Sequence, residues 1–451
     1  MTIIGLDDTD SRTSGGCTTY LAARLAREVE TAGGTVERTL LVRLNPAVEH
    51  KTRGNAALAV HCDLEPETAL DLAADAVTDA ETDDPQTNPG AVVADALPPA
   101  DHGADSGELS DSIADFSRRA VGGILDPETA RETIESEGFA TREAGNGRGL
   151  VGALAAVGAW RATEHWTYET IAYRERERWG TPRRVDRDSV FEAAAAGYPT
   201  VWDTVDRVER TAVCVPRTPG PLLHGIRGDD PAAVEAVSAG IESEPVTLRH
   251  TFVTNQGTDA HLQDGTLGSL RDGRSYRVDG SVVEAPETRE GGHVFFGLGP
   301  AKALEREEPG TIAGNGGEIA AEEEAIRRCV AFEPTKRFRD RVRALRPGDR
   351  VTACGEVGEE TLKLEKFAVR DLVETEPTTP TCPDCGRSME SAGADQGNRC
   401  RSCGRSADGP AERRLDRDLE VGWYEVPPVA RRHVAKPLVR GGFDAPVHPE
   451  R

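Results

Sequence analysis

Two C-x-x-C pairs, C-P-D-C at 382–385 and C-R-S-C at 400–403, stand fourteen residues apart. Each pair can form a tight knuckle that presents two thiolates, and four such thiolates converge on a tetrahedral zinc ion with bonds of about 2.3 Å. Four sulfur ligands close the coordination sphere, so Zn²⁺ held by Cys382, Cys385, Cys400 and Cys403 is structural and the chemistry must lie elsewhere. Two redox C-x-x-C motifs would need a thioredoxin-like βαβ setting that the segment lacks. Cys17, Cys62, Cys214, Cys329 and Cys354 are isolated and read as small apolar side chains.

The 451 residues exceed one ordinary core and suggest three or four units. A formal charge of −24 would normally argue against a nucleic-acid partner. That inference fails here, because only six of the 54 basic residues are lysine and 78 are acidic, a balance that suits a surface hydrated at high salt. We therefore expect a halophilic source. The folded far-UV CD signal should fall sharply on dialysis into low salt, and an unchanged signal would refute the reading. Global charge then reflects the solvent, and only local basic clusters report on a partner. No apolar run approaches the ~18 residues that span a bilayer, and the start has no signal-peptide h-region, so a cytoplasmic protein is expected.

Thr2 to Leu6 reads as a strand that stops at D-D-T-D, 7–10, and Leu21, Leu25 and Val29 place a helix starting near Thr18. Strands are expected at Thr39–Leu44 and Ala57–His61, and a helix or close-packed strand at Gly147–Gly158. Asp71 to Asp115 carries twelve acids and no Lys or Arg, which reads as mostly solvated surface or flexible insertion; T-N-P-G at 87–90 is a turn before a strand that can reach the site. Beyond Pro199, short β-like runs around a helix at Ala232–Ile241 suggest a small α+β domain, and strands at 276–283, 293–298, 350–356 and 361–367 suggest an OB-like barrel. Gly299 to Glu324 reads as a disordered insertion, and Pro377 to Pro380 as a linker to the ribbon.

Three carboxylates at the end of a strand, Asp7, Asp8 and Asp10, can hold Mg²⁺ together with phosphate oxygens. The helix that opens at Thr18 and Thr19 offers free N–H groups to an anion. Lys51 and Arg53 add positive charge for a triphosphate, and Asn55 a polar positioner. The cluster is not a Walker A motif, and D-D-T-D can equally cap a turn. Two basic clusters suit phosphates: Arg339 and Arg343 (with Arg346) on an expected helix at 336–346, and Arg431, Arg432, Lys436 and Arg440 in a window, 426–442, without an acid. Either can also be a solvated face paired to acids.

G-L-D-D-T-D-S at 5–11, G-C-T-T-Y-L-A at 16–22, R-L-N-P at 43–46, K-T-R-G-N at 51–55, T-N-P-G at 87–90 and G-R-G-L-V-G-A-L-A-A-V-G at 147–158 occur in order. H-G-I-R-G at 224–228, G-G-H-V-F-F at 291–296, A-F-E-P-T-K at 331–336, the four cysteines and Y-E-V-P-P at 424–428 follow. Together they resemble the archaeal tRNA(Ile) 2-agmatinylcytidine synthetase family over almost the whole chain. The resemblance implies a multidomain α+β protein: an atypical kinase-like ATP domain (1–195), a ferredoxin-like α+β domain (196–268), an OB-fold β-barrel (269–376), then a C-terminal zinc ribbon with its basic tail (377–451). It implies an ATP-dependent ligase joining agmatine to carbon 2 of the wobble cytidine of the AUA-reading isoleucine tRNA, with ATP cleaved to AMP and pyrophosphate. The family's aspartates map onto Asp7, Asp8 and Asp10, and its phosphorylatable threonine onto Thr18. The cations of agmatine need carboxylates, and Asp203 and Asp206 of W-D-T-V-D are the candidates. The partners implied are isoleucine tRNA and agmatine, without a membrane or an obligate protein partner. Two competing readings are a non-catalytic OB and zinc-ribbon protein that binds single-stranded nucleic acid, which leaves the aspartates unexplained, and a small-molecule kinase, which leaves the basic tail without a role.

Overall fold

The computed structural model describes residues 1–11, 16–51, 54–80, 84–95, 109–300, 326–393 and 396–451. Strands β1 (Thr2–Asp7), β2 (Val36–Arg43), β3 (Ala56–Cys62), β4 (Gly90–Asp95) and β5 (Ala140–Glu143) form one run in the order β5-β4-β1-β3-β2, antiparallel throughout. Side chains alternate across β1 as strand geometry requires. Ile4 and Leu6 pack with Leu25 and Val29 of α1 (Thr18–Thr31) and with Ala69 and Ala73 of α2 (Pro66–Thr78), while Ile3 joins the opposite face. There α3 (Asp111–Gly122), α4 (Pro127–Glu137) and α5 (Arg148–Ala162) supply Phe116, Ile134 and Leu154. α5 lies unusually close to β1: a Cβ on Gly5 would collide with the Ala153 carbonyl oxygen.

The described part of the acidic segment is built into the fold. Ala69, Ala73, Ala76 and Val77 repeat at helical spacing and bury one face of α2, with Asp71, Asp75 and Asp79 exposed on the other. β4 and the start of α3 also belong to it, and residues 81–83 and 96–108 lie outside the described residues.

The second unit comprises β6 (Thr167–Arg174), α6 (Arg187–Gly197), β7 (Val201–Trp202), a small hairpin of β8 (Val205–Asp206) and β9 (Thr211–Ala212), β10 (Leu222–Gly228), α7 (Pro231–Ala239) and β11 (Val246–Thr254). Its sheet order, β11-β6-β10-β7, is that of the ferredoxin-like β-α-β-β-α-β arrangement. β6 sits at its centre, so the boundary expected after residue 195 cuts through the unit. The sequence of β6, T-Y-E-T-I-A-Y-R, mixes polar and apolar residues on both faces: Glu169 enters a cavity on the face where Ile171 and Tyr173 pack with Ala22 and Ala23, while on the other Thr170 bonds Thr251 and Arg174 pairs with buried Glu244. β11 also runs parallel to β2 (Val253↔Leu40, Thr254↔Leu41), fusing the two units into one nine-stranded sheet.

After β12 (Leu262–Asp264), strands β13 (Arg274–Thr288), β14 (Val294–Gly299), β15 (Arg327–Ala331), β16 (Arg350–Gly358) and β17 (Thr361–Asp371) close a five-stranded barrel through the circuit β13-β14-β15-β17-β16-β13. α8 (Phe338–Arg343) plugs it with fully buried Phe338 and Val342. The insertion expected at 299–324 falls largely on 301–325, outside the described residues. The ribbon follows, with β18 (Thr375–Thr378) paired to β22 (Ala411–Arg414) around a three-stranded sheet of β19 (Glu390–Ser391), β20 (Asn398–Arg399) and β21 (Ser406–Ala407). The tail does not stay with the ribbon. β23 (Gly422–Glu425) adds to the barrel beside β17, and β24 (Val447–His448) runs parallel to β23. Among the described residues no helix is long and apolar enough to cross a membrane.

Candidate functional site

The four cysteines of the ribbon sit on two matching knuckles. Gly386 N–H donates to the Cys382 carbonyl and Gly404 N–H to the Cys400 carbonyl, both at 2.8 Å, and both glycines adopt left-handed φ, 68° and 73°. Sγ–Sγ separations are 3.3 Å (Cys382–Cys403), 3.5 Å (Cys385–Cys400) and 3.7 Å (Cys385–Cys403). A tetrahedron of ~2.3 Å Zn–S bonds has edges of about 3.8 Å, so the thiols are grouped for zinc and too far apart for disulfides.

Asp7 ends β1, and its carboxylate rests against α5 at Gly152, where a Cβ would overlap Asp7 Oδ2. Asp8 follows at φ 54°, a left-handed conformation rare for side-chain-bearing residues, which turns the chain across the end of the sheet. Arg148, the first residue of α5, lies 3.6 Å from Asp8 Oδ2 and donates to the Gln86 carbonyl at 2.7 Å. Thr87 Oγ1 donates to the Asp10 carbonyl at 2.8 Å, and Gly149 N–H to the Asn88 carbonyl at 3.0 Å. The T-N-P-G turn thus clamps the aspartate loop to the head of α5. Burial, then repulsion from Asp8, hold the Asp7 carboxyl well above the usual carboxylate range, and burial raises Asp8 to about 7, only partly offset by Arg148. Asn88 Nδ2, Arg148 Nε and Thr9 Oγ1 are buried without a hydrogen-bond partner. Crowded carboxylates beside orphaned donors fit a divalent cation with an anionic ligand.

Asp7, Asp8, Asp10 and Arg148 line a cleft of about 310 Å³ that also takes in Lys51 and Asn55, with Leu44, Val48, Ile124, Leu125 and Val151 as an apolar wall. Lys51 Nζ donates to the carbonyls of Pro46 (2.8 Å) and Val48 (2.7 Å), and Asn55 Nδ2 to that of Asn45 (3.0 Å), so both also brace their loop. Arg53 lies outside the described residues. Thr18 and Thr19, in the first turn of α1, line an adjoining cavity of about 420 Å³ that shares Asp10, Gly54 and Ala56 with the first. The N-cap residue of α1, Cys17, makes no side-chain capping hydrogen bond. Glu169 stands in this cavity, 3.8 Å from both Arg43 and Arg227.

The remaining expected site residues lie elsewhere. Asp203 is ion-paired with Arg431, and Asp206 accepts from the N–H groups of Val208 (3.1 Å) and Glu209 (2.9 Å) and pairs with Arg337 (3.3 Å), so both carboxylates are held by protein partners. Arg431, expected on tRNA, has a side chain only 3% exposed, held by Asp203 and by Glu425 at 2.8 Å. Arg432 pairs with Glu356 and with Glu365 (3.3 Å), and Arg440 with Asp229 (2.7 Å). Lys436 Nζ packs 4.8 Å from the Phe443 ring centre. The acid-free window receives its carboxylates from distant strands and loops, and its cations staple the tail to the barrel and the ferredoxin-like unit. On α8, Arg339 donates to the Gly292 carbonyl (2.6 Å), while Arg343 pairs with Asp340 (2.5 Å). Arg148 is not among the expected site residues, whereas Asn88 lies in the turn expected to reach the site; both are central to it. They belong to the G-R-G-L and T-N-P-G motifs, and only the fold brings them to the aspartates.

Family models match three stretches: the TiaS TCKD domain over 3–146, the TiaS FLD domain over 147–261 and the TiaS C-terminal zinc ribbon domain over 379–419. The 2-agmatinylcytidine synthetase TiaS of Haloquadratum walsbyi, named for an isoleucine tRNA, is 53% identical over the full length of both chains. This chain belongs to the TiaS family. The Methanosarcina acetivorans TiaS is 42% identical, again over all of both chains. Among solved structures, a TiaS in complex with isoleucine tRNA and ATP superposes with a TM-score of 0.82 at 37% identity, covering 100% of this chain and 99% of that one. A TiaS complex with isoleucine tRNA, AMPCPP and agmatine gives 0.80 at 35% identity with the same coverage. The junction between the first two family models, at 146/147, precedes α5, whereas in the fold α5 packs on β1, β3 and β4 of the first unit.

Proposed function

We infer that this chain is a cytoplasmic, ATP-dependent ligase that joins agmatine to carbon 2 of the wobble cytidine of the AUA-reading isoleucine tRNA. The observation that carries the reading is the end-to-end 53% identity with a TiaS whose name states that product. A non-catalytic RNA-binding protein would have no use for crowded, mutually repelling carboxylates beside orphaned donors.

The two adjoining cavities divide the work. The apolar wall of the first suits a purine, with the triphosphate directed toward Arg148, Lys51 and the aspartates. Asp7, Asp8 and Asp10 would hold Mg²⁺, which supplies neutralisation of phosphate charge. The second cavity, reached past Asp10, suits the cytosine and the incoming amine, and its carboxylates among the described residues are Asp10 and Glu169. A cytosine carbonyl is a poor leaving group. Transfer of a phosphoryl group to that oxygen makes carbon 2 electrophilic; the agmatine nitrogen then bonds to carbon 2, the C–O bond breaks with the oxygen leaving on phosphate, and the amine loses a proton. Thr18 and Thr19 present N–H groups of α1 to that phosphate. The phosphoryl transfer itself leaves ADP from its donor, and the AMP and pyrophosphate that the family resemblance implies come from a separate hydrolysis of the ATP α–β bond. Incubation with ATP, Mg²⁺, labelled agmatine and unmodified isoleucine tRNA should place the label in the tRNA, with AMP formed in parallel. Intact tRNA binding without incorporation would overturn the ligase reading.

A further inference from the structure

A groove of about 760 Å³ crosses the ferredoxin-like unit between the loop 180–187 and the segment 210–219. Arg183, Arg187, Arg210 and Arg217 line it, and among the described residues no carboxylate does. In a chain with 78 acidic and 54 basic residues, four arginines lining one groove mark a place suited to an anion. Arg183, Pro216, Arg217, Thr218 and Pro219 also line the cavity that holds Thr18 and Thr19, so the groove opens directly into it.

Its walls are held by hydrogen bonds. Arg174 and Glu244 form a fully buried ion pair at 2.6 Å, a costly arrangement unless its hydrogen bonds are complete. Arg174 donates to the carbonyls of Thr181 (2.8 Å) and Pro182 (3.3 Å), and the Glu244 carboxylate accepts from Arg184 N–H at 2.8 Å. That pair therefore clamps the loop carrying Arg183, whose Nε donates to the Leu222 carbonyl at 2.7 Å. Opposite, Val213 and Cys214 N–H groups both bond the Thr204 carbonyl, at 2.9 and 3.1 Å, fixing the segment that leads to Arg217.

We propose that this groove carries the phosphodiester backbone of the tRNA strand beside the wobble nucleotide, so that the base turns into the Thr18 cavity while flanking phosphates lie on Arg187, Arg210 and Arg217. The assignment rests on the tRNA-modifying reading above. Guanidinium groups bind phosphate by paired hydrogen bonds without reading sequence, which suits a track that positions a strand. The groove is also far larger than a single phosphate requires.

The test is tRNA binding without ATP, measured across the salt range in which the far-UV CD is constant, for the wild type, Arg187→Gln/Arg210→Gln, and the control Arg131→Gln on α4, where Arg131 is paired with Glu143. The double variant should bind on the order of tenfold more weakly, and the slope of log affinity against log salt should flatten by about 0.7 for each phosphate released from an arginine. The control should match the wild type. Unchanged affinity and slope in the double variant would overturn the groove assignment, as would binding of inorganic pyrophosphate that needs these two arginines while tRNA affinity is unmoved. A wild type that binds no tRNA would instead remove the underlying functional reading.

Discussion

Asp8→Asn should reduce agmatine incorporation by about 10³-fold or more, the scale of losing one group that stabilises charge in a preorganised site, while tRNA affinity stays within about twofold. Asparagine tolerates the left-handed backbone that Asp8 adopts, so the turn is preserved and only the charge is lost. A pH signature separates this role from a structural one. Asp8 titrates at about 7 because burial disfavours its anion, and Mg²⁺ must displace that proton to bind. Cation affinity should therefore fall as pH drops below about 7, where the proton competes, and level off above it. The asparagine variant should bind the cation weakly and with a shallower pH dependence. Parallel loss of tRNA binding, or a pH dependence identical to the wild type, would assign Asp8 to the fold instead of the chemistry.

Legibility in the sequence depends on whether a residue's partners are close along the chain. The zinc ligands are legible, because a knuckle is a local structure, and so are the strand ending at the aspartates and the helix opening at Thr18. Arg148 is not: nothing within its own glycine-rich motif announces a carboxylate 140 positions away, and those glycines speak only of close packing. α2 is hidden for a different reason. Its alanine spacing is helical, but the summed charge of its exposed face outweighs the period across the acidic segment. β6 escapes because Glu169 on one face and Thr170 and Arg174 on the other are all polar and buried, which erases clean alternation. The basic tail misleads most. Arg431, Arg432 and Arg440 find Asp203, Glu356 and Asp229, residues 76 to 228 positions away, so a window empty of acids is still electrostatically matched in the fold.

Arg431→Ala is the substitution on which the two views of the tail part. If the side chain gripped tRNA at the surface, its removal would weaken binding and leave stability alone. Its burial between Asp203 and Glu425 requires the opposite. Taking one member from a buried charge network costs about 3–5 kcal/mol, since the remaining carboxylates keep their desolvation penalty and lose their counter-ion. Glu425 already titrates at about 7, raised mainly by burial and further by Asp203, with Arg431 holding it down. Without Arg431 it must rise higher. A carboxylate whose folded pKa exceeds its unfolded one destabilises the fold fully above the folded pKa, and that cost shrinks as pH falls from there toward the unfolded pKa. The variant's deficit in urea or thermal unfolding should therefore be largest above about pH 7 and shrink below it, and adding Asp203→Asn should recover part of the loss. Zinc content should match the wild type, because the four thiols of the ribbon take no part in this network. A variant of normal stability with weakened tRNA affinity would return Arg431 to the RNA.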